Sequence, residues 1–139
     1  MLNIDNVLLN KPVIAIKAGS SALAKLTNAA LVKVAGTLIR IAAADLPAIT
    51  TAASLASGEK NVVLEVTDSA GTVSNLYGTK STTYAGIVFP KVSAGSVLLG
   101  GFVITAAATF TGGTTALDAA NITTEYFDAD TLIQSRLAL

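Results

Sequence analysis

NVVLEVTDSAGTVSNLYG, residues 61–78, decides the fold. In its first half Val62, Leu64 and Val66 alternate with Val63, Glu65 and Thr67, the two-residue period of a β-strand. Asp68-Ser-Ala-Gly71 then supplies a tight turn, because glycine takes a positive φ at no steric cost. A second β-prone run follows to Gly78. The stretch is a hairpin.

The same grammar extends outward. Upstream, KPVIAIKAG (11–19) is a β-branched run ending in a glycine turn, and ALVKVAGTLIRIA (30–42) reads as two strands joined at Ala35–Gly36. Lys33 and Arg40 punctuate its apolar residues as on a half-buried sheet. Downstream, TYAGIVFP (83–90) and SVLLGGFVITA (96–106) read as two further strands, with KVSAG as the turn between them. Short strands at regular spacing, separated by glycine, make an antiparallel sandwich or barrel of the jelly-roll type. All-β is the expected fold class. The segment DLPAITTAASLASG (45–58) has Ala and Leu for a short helix, but Pro47, Thr50 and Thr51 favour an extended crossing or loop. DADTLIQSRLAL (128–139) reads as a short terminal helix or as an arm that orders against a neighbour. The expected organisation is an N-terminal arm (1–10), a β-rich domain (11–127) and a C-terminal arm or short helix (128–139).

Composition bounds the function. Charged residues are 13% of the chain, against about 25% in a typical soluble domain. From Val92 to Leu117 no side chain is charged, yet its strongly apolar core, VLLGGFVITAAA (97–108), falls well short of the ~20 residues of a spanning helix. Two glycines also interrupt it, so no membrane association is expected. Nine basic residues balance nine acidic ones. Nucleic acid is an unexpected partner, because that affinity rests on clustered Lys and Arg neutralising phosphates. A neutral surface also does little to keep copies apart.

The search for chemistry is mostly negative. Histidine and cysteine are both absent, which removes Ser–His–Asp and Cys–His arrangements and the commonest transition-metal ligands. Glu125, Asp128 and Asp130 are the densest acidic group, but without a calcium-loop pattern they read as a solvated turn and helix cap. GTKS (78–81) lacks the glycine that should precede Lys80 in a phosphate loop, and TGGTT (111–115) reads as a flexible turn. No catalytic residues, cofactor or metal are expected.

Four phrases in order carry a resemblance: K-A-G-S (17–20), D-x-A-G-T-V (68–73), F-P-x-V-x-A-G-x-x-x-L-G-x-x-x-I (89–104) and F-x-x-G-T-T-x-L-D-x-A-x-I-T (110–123). Together they span most of the chain outside its two ends. The chain resembles small virion structural proteins of tailed bacteriophages, of the capsid cement (decoration) or head-fibre type. The resemblance implies a non-enzymatic β-domain, often a homotrimer, bound to the major capsid protein on the outer surface of the virion. Many weak contacts acting together would then replace any single hot spot. The apolar ends supply the expected docking residues: Leu2, Ile4, Val7, Leu8 and Leu9 at one, and Leu132, Ile133, Leu137 and Leu139 at the other. The alternative is a tail or head-fibre module that binds a host receptor or glycan, although few aromatics are present to stack on sugars.

Overall fold

A computed structural model of the chain describes residues 6–129, and these form nine strands. They are β1 (Val7–Leu8), β2 (Ile14–Ile16), β3 (Ala24–Leu26), β4 (Ala30–Val34), β5 (Thr37–Ile41), β6 (Lys60–Asp68), β7 (Val73–Tyr77), β8 (Ser96–Ala106) and β9 (Ile122–Asp128). Every pairing is antiparallel, in sheets of order β7-β6-β8-β9, β1-β4-β5 and β2-β3. The fold is all-β and sandwich-like, as the alternation predicts.

The deciding hairpin is β6–β7, with Val63 opposite Tyr77 and Thr67 opposite Val73. Asp68 makes its turn. One carboxylate oxygen accepts from the backbone N–H of Ala70 at 2.9 Å and of Thr72 at 3.0 Å, and Gly71 takes φ +81°. The β4–β5 hairpin turns on Ala35 (φ +48°) and Gly36 (φ +78°), the two left-handed positions of a type I′ turn. Alanine is a poor occupant there, because its Cβ crowds the carbonyl in the left-handed region. Ala35→Asn should therefore raise stability by about 0.5–1 kcal/mol, read from the urea midpoint.

β6 is the central strand, paired on both sides and buried on both faces from Asn61 to Thr67. One face, carrying Val63 with Phe102 and Ile104 of β8, packs into the main core. Across that core lie Val32 and Val34 of β4, Leu26 of β3 and Ile14 of β2, closed off by Phe110 and Leu117. The other face carries Val62, Leu64 and Val66. Residues 79–91 fold back towards it: Thr79 bridges Val88, and the Phe89 ring lies 6.2 Å from that of Phe127 on β9.

That segment corrects one expectation. TYAGIVFP (83–90) is not a strand. Tyr84–Gly86 form a 3-10 turn, and the Thr83 hydroxyl accepts from the Gly86 N–H at 3.1 Å. Pro90 lacks the N–H that a ladder would need. The 45–58 segment is the expected irregular crossing, with a single 3-10 turn at Thr51–Ala53. Strands β1, β3 and β9 were not anticipated, and β1 lies within the stretch 1–10 that was expected to be an arm. Asp128, where the C-terminal arm was expected to begin, is the last residue of β9, opposite Gly100.

Candidate interaction surface

The described residues carry no group of three or more His, Cys, Asp or Glu side chains placed to hold a metal ion. Their carboxylates are instead distributed one by one along the structure. Glu125 and Asp128 lie three positions apart on β9 and so point to opposite faces. The first accepts from the Tyr84 hydroxyl at 3.1 Å, and the second ion-pairs with Lys11 at 3.3 Å. Asp130 lies outside the described residues. Lys80 of the GTKS phrase pairs with Glu59 at 2.9 Å. The Ala56 N–H first and Lys80 second hold the Glu59 carboxyl below its ordinary range. TGGTT closes a turn in which the N–H groups of Thr114 and Thr115 both reach the Thr111 carbonyl.

Asp118 lines a shallow open cleft of about 310 Å³ with Ile16, Leu117, Ile122, Thr123, Thr124 and Tyr126. This lies at the small end of the range for ligand pockets. The Asp118 carboxylate is already engaged, accepting from the Ser20 N–H through both oxygens at 2.9 and 3.0 Å. It also helps hold the Tyr126 phenol in its protonated form. Burial, and secondarily Asp118, push that phenol up to about 12. The cleft lining thus offers one carboxylate, already engaged by Ser20, with the Tyr126 phenol and the hydroxyls of Thr123 and Thr124, the last donating to the Leu117 carbonyl.

Large apolar side chains on the outside are the more distinctive feature. Leu38 is 62% exposed, Val88 59%, Tyr84 55%, Leu9 51%, Val13 49% and Phe89 45%. Tyr84, Val88 and Phe89 share the 79–91 segment. Lys60 lies over the Tyr84 ring at 4.9 Å from its centroid, and the tyrosine hydroxyl reaches Glu125 and, at 3.4 Å, Thr105. The ring is thus tethered at its tip and capped by Lys60, while the residue as a whole stays exposed. Leu38 stands on β5, which pairs only with β4 in its sheet.

The sequence-derived docking residues divide. Leu2, Ile4, Leu132, Ile133, Leu137 and Leu139 lie outside the described residues. Val7 and Leu8 form β1, opposite Lys33 and Val32, and Leu8 packs against the core. Leu9 faces solvent while its N–H donates to the Leu31 carbonyl. Sequence reading missed Val13, Leu38, Tyr84, Val88 and Phe89. An apolar residue in a strand-like run gives no sign of whether it faces the core or the solvent until the register is known. Among the described residues no helix is long and apolar enough to cross a membrane. No protein-family model, curated protein or solved structure matches the chain.

Proposed function

We propose that this protein is a structural component of a tailed-bacteriophage particle, a cement protein that binds the outer capsid surface as a homotrimer and stabilises the shell. The observation that carries the reading is the set of outward Leu9, Val13, Leu38, Tyr84, Val88 and Phe89 on a chain only 13% charged. Tyr84, Val88 and Phe89, gathered on one segment, are the exposed apolar group that favours an interaction surface. Sister copies and the major capsid protein would supply the cover, with large apolar interfaces of the obligate kind. The ordered phrases resembling phage virion proteins support the same assignment. In this fold they form its turns and close contacts: Gly71 in the β6–β7 turn, Gly100 and Gly101 in β8, and Gly112 against the Thr50 carbonyl.

The reading rests on assembly, so assembly tests it. Sedimentation of the purified chain should give a stable trimer, and the trimer should bind capsids stripped of this protein but not free capsid subunits. A monomer at high concentration that ignores stripped capsids would overturn the proposal.

A further inference from the structure

The core face of β6 carries one ionisable side chain. Glu65 is 1% exposed, sits between Val63 and Thr67, and has no hydrogen-bond partner for either carboxyl oxygen. Its register neighbours are Asn75 on β7 and Gly100 on β8, at the site of a β-bulge. Asn75 uses its amide NH₂ to reach the carbonyls of Pro47 at 3.2 Å and Ala48 at 3.0 Å. Those bonds fix which way the amide faces. They leave Asn75 Oδ1 buried and also without a partner.

Two facing side chains therefore bury three unpartnered acceptor oxygens, and the one donor group they own, the Asn75 amide NH₂, is already turned to Pro47 and Ala48. Directly opposed side chains across an antiparallel pair have Cβ atoms about 4.5–5.5 Å apart, within hydrogen-bonding reach for Glu and Asn. A single proton resolves the mismatch, since a protonated carboxyl gains one O–H donor. We infer that Glu65 is kept as the neutral acid and donates to Asn75 Oδ1, forming an alkali-sensitive latch that ties the β6–β7 hairpin to the Pro47–Ala48 crossing.

The surroundings favour the neutral form. β7 presents Asn75 and the Tyr77 hydroxyl, which lies 3.4 Å from the Asn75 amide. β8 presents Gly100 and carries no charged residue. The crossing offers backbone carbonyls. Across the core, Lys25 and Lys33 each sit between buried neighbours and so point away, and Arg40 is exposed. Beyond Gly100, β9 places Asp128, ion-paired with Lys11. Removal from water alone raises the Glu65 carboxyl from 4.5 to about 8.

The sign follows. Between about 4.5 and 8 the folded chain keeps a proton that the unfolded chain has lost. The stability from this proton is complete below that window and is lost as pH rises through it. The unfolding equilibrium constant should rise about tenfold per pH unit across the window and level off above it. Glu59, whose carboxyl is held low, titrates below the window.

Urea unfolding of the full chain at a series of pH values from about 5 to 9, for wild type and Glu65→Gln, tests the latch. Glutamine keeps the shape and donates at every pH, so the variant should lose the slope between about 4.5 and 8. Parallel slopes in the two proteins would overturn the inference. So would stabilisation by added calcium or sodium that Glu65→Gln abolishes, which would make the three oxygens a cation site. If Glu65→Gln does not fold, infrared difference spectra of the wild type decide. A carboxylic-acid C=O band should be present at neutral pH, vanish in alkali and shift in Asn75→Ala, and its absence at neutral pH would refute the latch.

Discussion

Phe102→Ala should cost about 3–5 kcal/mol of stability, a large part of the ~5–15 kcal/mol that holds a domain of this size folded. Phe102 is fully buried at the middle of β8. It stands opposite Val63 on β6 and Tyr126 on β9, with the tyrosine ring 5.5 Å away at 52°. Truncation removes the aromatic contact and leaves a void among residues from both layers, which strands held in a ladder cannot collapse to fill. Phe102→Leu, which keeps most of the volume, should lose less than about 2 kcal/mol. A denaturant midpoint series measures both. A loss below about 1 kcal/mol for the alanine variant would mean that Phe102 is not the centre of the core. Phe89→Ala is the informative companion: a 45% exposed ring with one aromatic neighbour should change stability by no more than about 1 kcal/mol while weakening the proposed association.

The sheet was legible in the sequence wherever alternation and turn chemistry agreed. Residues 61–78 gave the β6–β7 hairpin, Ala35–Gly36 gave the second turn, and the run 96–106 coincides with β8. These signals are local, and a strand paired to its sequence neighbour needs nothing else. Where long-range contacts rule, the sequence was silent. Ser20 takes φ 61° while its N–H binds a carboxylate 98 residues away, a partnership that no local pattern announces. The 83–90 segment has β-prone residues but is turned by Thr83 and Pro90. Its aromatic surface emerges only from that failure to be a strand.

Glu65 is the sharpest case. In an alternating run a glutamate marks the solvent face, and the same alternation would place Val63 and Thr67 beside it. The structure buries all three because β6 is covered on both faces, so its buried run from Asn61 to Thr67 mixes four apolar residues with Asn61, Thr67 and the one ionisable group, Glu65. The charge scarcity that sequence reading attributed to partners is thus partly internal. Much of 97–106 is shielded by β6, β9 and the opposing layer before any second copy is considered. What remains outward is the smaller set led by Leu38, Tyr84, Val88 and Phe89.

Gly101→Ala should destabilise the protein by about 2–4 kcal/mol, combining overpacking with a disturbed ladder bond. An added Cβ would lie 2.3 Å from the Val63 carbonyl oxygen, 2.9 Å from the tip of the Phe127 ring and 3.1 Å from Leu64 Cδ2. The two side chains can rotate away. The carbonyl cannot, because it belongs to the β6 backbone at the point where Val63 and Leu64 pair with Phe102 and Gly101. The strands must therefore part, and the core face of the sheet parts with them. Two other glycines separate this steric effect from conformational cost. At Gly36 an added Cβ meets open space but φ is +78°, so Gly36→Ala should lose about 1 kcal/mol. At Gly95 there is neither a neighbour nor a left-handed φ, and Gly95→Ala should be neutral within about 0.5 kcal/mol. The expected order of loss is Gly101, then Gly36, then Gly95, measured by urea midpoints on the three variants. A tolerated Gly101→Ala would mean that β6 and β8 are spaced or registered differently in solution. Glu65 would then no longer face Gly100, while its place opposite Asn75 rests on the separate β6–β7 register.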